Sequence, residues 1–344
     1  MTNILITGIM GFIGSHLAQH LAKDKNNVIY GLYRSTKHES VFNALYLNKV
    51  ENINLIQGNI NNLNDIYEAI VQYDIEQIYH LAAKVIVQDA AKFPVVTVNT
   101  NVFGTLNVLE SVRLIKSLMK KEIPTLINST DKVYGISDKL PYKENYSLNG
   151  LDIYSASKAC SDILSRSYAY NYNLPIVVSR PSNVFGLDFN WSRLLPSLAK
   201  SCLYYKEKNK PIILNEGSYH YVREYTYVND CVRALELLIK KIEITKGNAY
   251  NISSNIKCTT EEVIKLFLDL SNCKDKQIQF KEKDISFKEI PEQYLDSSKL
   301  MTDTGWKPKY NLEDGLKETI EKYKKWFCDE MLSNCSTHIT DSYV

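Results

Sequence analysis

Apolar and polar positions follow two rhythms along the first half of the chain. Ile4–Thr7 is a short apolar run, after which Phe12, Ile13, Leu17 and Leu21 recur at helical spacing through Phe12–Ala22. Val28–Leu32 is strand-like again, Asn54–Gln57 predicts a third strand, Leu63–Val71 a helix and Gln77–Leu81 a fourth strand. Thr100–Met119 reads as a long helix and Thr125–Asn128 as a fifth strand ending in a polar turn. Leu151–Tyr170 reads as another helix and Ile176–Ser179 as a sixth strand. Strands alternating with helices predict a mostly parallel sheet covered on both faces, and right-handed crossovers make it doubly wound.

The rhythm loosens after Arg180, where Pro181, Pro196, Pro211 and the aromatic-rich Tyr219–Tyr227 interrupt it. A smaller, mixed C-terminal lobe is expected there, over the carboxyl ends of the strands, where open α/β sheets bind ligands. The expected division is residues 1–180 for the sheet domain and 181–330 for the lobe, with one strand or helix free to return to the first. Glu313–Phe327 predicts an amphipathic helix, and the polar tail, 331–344, is expected to fray from about Ser333.

Composition narrows the function classes. The 41 basic and 39 acidic residues leave a net charge of +2, which argues against nucleic acid or an anionic membrane as partner. No apolar run approaches the ~18 residues of a membrane span. Met1–Thr7 runs straight into a strand-like stretch without a basic segment and a longer apolar one, so a cytoplasmic protein is expected. The seven cysteines (Cys160, Cys202, Cys231, Cys258, Cys273, Cys328, Cys335) are scattered, with no CxxC or Cys/His spacing for a metal, and read as reduced thiols.

Two motifs carry chemistry. Thr7-Gly8-Ile9-Met10-Gly11-Phe12-Ile13-Gly14 follows a strand and opens a helix, the context in which missing Cβ atoms admit a pyrophosphate and a helix amino end receives it. This makes the first domain a Rossmann-like binder of NAD or NADP. Tyr33 stands 19 residues beyond Gly14, where a carboxylate would grip an NAD ribose; Arg34, Ser35 and Lys37 follow. An arginine with hydroxyl neighbours favours the 2′-phosphate of NADP. Tyr154-Ser155-Ala156-Ser157-Lys158 places a phenol and an ammonium on one helix face. The cation is expected to lower the phenol's pKa, making Tyr154 a base for an alcohol proton during hydride transfer.

Together these motifs resemble the extended short-chain dehydrogenase/reductase family, whose TGxxGFIGSHL pattern is matched by Thr7–Leu17. The resemblance runs over roughly residues 3–327. It implies cofactor contacts at Gly8, Gly11, Phe12, Ile13, Gly14, Arg34, Asn59, Ile60, Leu81, Ala82, Ala83 and Thr100, besides Tyr154 and Lys158. Asn59 replaces the family's usual adenine-touching aspartate. The resemblance also implies that Thr130 completes a Thr–Tyr–Lys triad on a sugar hydroxyl. Asp131-Lys132, in the run STDKVYG, looks most like the CDP-glucose 4,6-dehydratases, where this pair would supply acid and base for losing water across C5–C6. Arg180–Gly186 resembles RxxNxYG, implying that Asn183 touches a substrate diphosphate. Tyr221–Asp230 resembles R-(D/E)-(Y/F)-x-x-V-x-D, implying that Arg223 clamps it. Trp191-Ser192-Arg193 is similar to the nucleotide-pocket run of the CDP-glucose enzymes, whereas Gly11–His16 has the commoner family form and Tyr33-Arg34 is similar to the GDP-mannose dehydratases.

The expected activity is a nucleotide-sugar 4,6-dehydratase, with a nucleoside-diphosphate sugar as substrate and an internally recycled nicotinamide. The alternatives are a 4-epimerase or a 4-oxidase/reductase, which use Thr130, Tyr154 and Lys158 but not Asp131-Lys132, and, more remotely, a non-catalytic cofactor sensor. A homodimer through Thr100–Met119 and Leu151–Tyr170 is what the resemblance implies.

Overall fold

In a computed structural model the structure describes every residue except 37–38, 205–209, 216–217, 282–289 and 341–344; Lys37 therefore lies outside the described residues. The predicted strands are present as β1 (Thr2–Thr7), β2 (Asn27–Tyr33), β3 (Ile53–Gln57), β4 (Gln77–His80), β5 (Thr125–Asn128) and β6 (Ile176–Pro181). The second half contributes β7 (Asn183–Phe185), β8 (Ile212–Asn215), β9 (Val222–Tyr227), β10 (Ala249–Ile252), β11 (Lys257–Thr259), β12 (Ile278–Lys281) and β13 (Glu292–Gln293). Seven strands form one parallel sheet in the order β10-β6-β5-β4-β1-β2-β3, so β10 returns from the second half to pair with β6.

Strand geometry explains why the centres of these runs are apolar at consecutive positions. Successive side chains point to opposite faces. On β1, Ile4 and Ile6 enter the core beneath the helices Phe12–Leu21 and Val228–Lys240, while Leu5 enters the core beneath Gly104–Met119. On β5 and β6 the same split separates Leu126 and Val177 from Ile127, Ile176 and Val178. A sheet buried on both faces needs both sets.

The smaller lobe is built on β9, which pairs with β7, β11 and β13; β8 and β12 pair separately. The Val228–Lys240 helix leaves β9 and packs back against Phe12–Leu21. The closing helix runs Leu312–Thr340, past the expected end at Phe327 and through the start of the tail, and no glycine or proline after Gly315 interrupts it. No helix among the described residues is long and apolar enough to cross a membrane.

Candidate active site

The glycine turn closes on itself. Gly11 N donates to Gly8 O at 2.9 Å, and Gly8 has a φ of +76°, a left-handed conformation open to glycine. A Cβ on Gly14 would stand 2.2 Å from Gly8 O, so the helix can approach the turn only without one. The Phe12–Leu21 helix has Gly11 as its N-cap and no side-chain cap, leaving its first amides free for a pyrophosphate. The residues fit a dinucleotide. Leu81 N donates to Thr7 O at 3.1 Å and Ala82 N to Thr7 Oγ1 at 3.3 Å, which brings Leu81 and Ala82 against the turn, with Ala83 next along the chain. Asn59 is held by its own amide, which donates to Asp65 Oδ2 at 2.7 Å, while Ile60 is buried beside it. Arg34 is exposed just beyond β2. Thr100 is half-buried within a π-helical turn, Asn99–Phe103, that joins two helices; such turns recur at functional sites.

The tyrosine helix, Ile153–Tyr172, starts at Asp152, whose Oδ1 accepts from Ser155 N at 3.0 Å. Tyr154 and Lys158 are both buried on its inner face. Thr130 lies near the phenol and favours its ionised form. Lys158 Nζ donates to Asn128 O at 2.5 Å, at the end of β5. The expectation that Lys158 lowers the phenol is not met. Burial pushes Tyr154 up to about 12, and it is Arg193 and Thr130 that pull against it. The lysine itself is held down at about 8, by burial and against the charge of Asp162 one turn further on.

Beyond β5 the chain makes a 3-10 turn, Asp131–Tyr134, capped by Thr130. Thr130 Oγ1 donates to Asp131 Oδ1 at 3.0 Å; Asp131 Oδ2 is buried with no hydrogen-bond partner. Burial raises the Asp131 carboxyl, against the lowering charges of Lys132 and Arg223 and the Thr130 bond. Lys132 is half-buried beside it.

The lobe brings the remaining residues over this floor. Arg193 acts on the Tyr154 phenol by its charge and donates to Asp188 Oδ2 at 3.2 Å. Arg223, on β9, donates to the backbone oxygens of Val222 and Pro291 and lies over the Tyr221 ring. Asn183 is half-buried on β7, opposite Tyr225 of β9. Trp191 packs among Phe189, Trp326 and Phe327 and donates to Glu39 Oε2 at 3.1 Å, tying the lobe to the loop after β2. Among the described residues no cluster of ligands could hold a metal.

Four further buried polar groups lie around the site, three of them missed by the sequence reading and the fourth given there only as a motif position. Asn101 donates to Lys84 O and Ser157 Oγ and accepts from Lys84 N, fixing the tyrosine helix to the loop after β4. His80, buried and neutral, lies 2.7 Å from Thr7 Oγ1 and 3.1 Å from Thr105 Oγ1. Thr97, Asn101 and Thr105 recur every fourth residue ahead of Val108 and Val112, a polar extension of an apolar stripe that was readable. Asp162 lies four residues beyond Lys158, on the same face, and binds the buried Arg180. Glu224 is the fourth, buried beside Arg223 on β9.

A doubly wound sheet, a glycine turn at its first crossover and a Thr–Tyr–Lys cluster at its carboxyl edge define a nicotinamide-dependent enzyme of the short-chain dehydrogenase/reductase type. The chain belongs to the family described as GDP-mannose 4,6 dehydratase, whose model matches residues 5–319. It is 29% identical over 341 residues to a dTDP-glucose 4,6-dehydratase of Haemophilus influenzae, covering 94% of this chain and 98% of that one. The dTDP-glucose 4,6-dehydratase of Bacillus anthracis, solved in complex with NAD, superposes with a TM-score of 0.82 at 27% identity, over 95% of this chain and 98% of that one. A UDP-glucuronic acid 4-epimerase of Bacillus cereus, solved with UDP-glucuronic acid and NAD, gives 0.83 at 25% identity, over 94% and 99%.

Proposed function

We propose that the protein is a nucleotide-sugar 4,6-dehydratase, converting a nucleoside-diphosphate hexose to its 4-keto-6-deoxy derivative. The observation that carries this reading is Asp131. It is a buried carboxyl, raised toward its proton-bearing form and bonded to Thr130, which stands near the tyrosine that would oxidise C4. Exchange of configuration at C4 has no use for such an acid; loss of a hydroxyl from C6 does.

Tyr154 takes the O4 proton, with Thr130 and Arg193 favouring the phenolate and Lys158 one turn away on the same face. Gly8, Gly11 and Gly14 would hold the pyrophosphate of a nicotinamide dinucleotide, which when bound would supply the hydride chemistry at C4 and C6. A carbonyl at C4 acidifies C5–H, and Lys132, in its neutral form, would remove that proton. Asp131 gives its own proton to the departing O6, so that C5–H and C6–O break, C5=C6 forms and water leaves. Returning hydride to C6 and a proton to C5 leaves no net redox change. Asn183 and Arg223 hold the diphosphate, Arg223 through a guanidinium suited to two oxygens at once.

NADP is favoured over NAD because Tyr33, not a carboxylate, ends β2 and Arg34 stands exposed beside it. The affinity ratio of the two cofactors, measured before and after Arg34→Ala, tests this; unchanged NADP affinity would remove Arg34 from the site. The free thiols among the described residues support a cytoplasmic location. The exposed stripe Cys160, Ile163, Ser167 and Tyr170 on the tyrosine helix supports a homodimer through that face, testable by sedimentation.

The activity is tested by incubation with CDP-, dTDP-, GDP- and UDP-hexoses and mass analysis of the product. Loss of water without consumption of added cofactor is the expected result. An isobaric product would indicate epimerisation instead.

A further inference from the structure

The sheet of the smaller lobe has two faces, and they treat polar side chains differently. Successive residues of a strand point to opposite faces, and register partners on neighbouring strands share one. On β9, Glu224 and Thr226 therefore share a face, and the chain satisfies both. Glu224 Oε1 accepts from the Ser253 hydroxyl, and its Oε2 from Leu295 N at 3.0 Å. The Thr226 hydroxyl lies 2.7 Å from that of Ser182 and accepts from Ser254 N at 3.1 Å. Arg223 and Tyr225 point the other way. Asn183 of β7 pairs with Tyr225 and Gln293 of β13 pairs with Arg223, so Asn183, Arg223 and Gln293 lie on one face. Arg223 is also fastened to β13, its Nη1 donating to Pro291 O at 3.0 Å, two residues before Gln293. Gln293 is 1% exposed, and among the described residues its Nε2 has no hydrogen-bond partner.

We propose that Gln293 is a substrate-binding residue: its side-chain amide donates to the diphosphate that Asn183 and Arg223 hold. Burying an N–H without an acceptor costs free energy, and a buried orphan in a folded chain calls for a reason. A diphosphate lying on the face that carries Asn183 and Arg223 supplies that reason, because its oxygens accept hydrogen bonds. Among the unpaired buried side-chain atoms of the described residues, this amide nitrogen alone can only donate; Asp131 Oδ2 accepts, and a hydroxyl such as Ser129 Oγ does either. Depth does not set Gln293 apart from the rest of the site, since Thr130, Asp131, Tyr154, Lys158 and Arg223 are buried too. An amide beside the guanidinium adds donors without adding a second positive charge that would repel the first. The inference rests on the reading that Asn183 and Arg223 hold the diphosphate of a nucleotide sugar.

Binding and stability should respond in opposite senses to substitution. Gln293→Met keeps length and bulk and removes both N–H groups. In the ligand-free protein its unfolding midpoint should stay level or rise, because an unpaired donor has left the interior. Its Kd for CDP, dTDP, GDP or UDP, whichever the wild type binds, should weaken by about 10- to 100-fold in calorimetry, as for loss of a bond to a charged acceptor. Affinity for the dinucleotide, held at the glycine turn, should stay within about twofold of wild type. Gln293→Glu, which turns a carboxylate toward the phosphates, should weaken the nucleoside diphosphates further. Nucleoside diphosphate binding unchanged in Gln293→Met overturns the contact. So does a midpoint that falls together with affinity for both nucleoside diphosphate and dinucleotide, the mark of a residue that only supports the fold. A wild type that binds none of the four nucleoside diphosphates overturns the diphosphate reading and the contact with it, whereas a loss confined to the substitution upholds both.

Discussion

Two buried aspartates, Asp131 and Asp162, are treated in opposite ways. Asp162 Oδ1 accepts from Arg166 Nε and Arg180 Nη2, each at 2.9 Å, and its Oδ2 accepts from Arg180 Nε at 2.7 Å. Arg180, buried in turn, also donates to Tyr134 Oη at 2.8 Å. Asp131 has one short-range partner, Thr130, and one oxygen with none. A buried carboxylate whose lone pairs are all engaged by guanidinium is committed to shape. One left half-engaged, raised by burial against the cations Lys132 and Arg223, keeps its proton in play. The contrast separates scaffold from chemistry without reference to any relative.

The comparison can be broken from either side. Asp162→Ala leaves the Arg180 guanidinium buried and uncompensated, and should cost about 3–5 kcal/mol in denaturant unfolding. A cost under about 1 kcal/mol would show that the pair is not structural. Asp131→Asn should do the reverse. Water loss should fall by about 10²–10⁴-fold while the unfolding midpoint stays level or rises, because a strained acid has been replaced by a neutral amide. A smaller effect is expected from pH. Glu224 binds its proton more tightly in the folded chain, at about 7 instead of the ordinary 4.5, so its contribution is present at low pH and lost as pH rises through that window. Stability measured from pH 4.5 to 7 should therefore decline less in Glu224→Gln than in wild type; parallel curves would contradict the shift. The smallest effect should be Arg166→Ala, below about 1 kcal/mol, since this arginine is partly exposed and Arg180 still holds both Asp162 oxygens.

What the sequence disclosed followed locality. The six strands, the glycine turn and the Tyr154–Lys158 pair are each written within a few residues, where the period of apolar positions or a fixed spacing decides the outcome. Asp162 and the Thr97–Asn101–Thr105 row had the same kind of signal and went unread because polar residues on a buried helix face break the simple amphipathic rule. Glu224 fills the acidic position of the Arg223 motif, but nothing local signalled its burial. Its burial depends on Ser253 and Leu295 meeting β9 across the lobe, a register that only the folded chain sets. The same holds for Lys158, which the spacing aimed at the phenol and the fold tied to the Asn128 carbonyl instead.

The return of β10 to the first sheet matters for anyone recombining these enzymes. Asn251 on that strand accepts from Tyr134 Oη at 2.7 Å and donates to the Tyr142 and Asp296 carbonyls, so the strand latches the turn that carries Asp131. A chimera that imports a foreign lobe from residue 182 onward would replace that latch together with the sugar pocket. One that grafts only the stretch between β6 and β10 keeps it, and with it the host's acid. The seams for exchanging sugar specificity thus lie inside the second half of the chain, on either side of an insert spliced into the sheet.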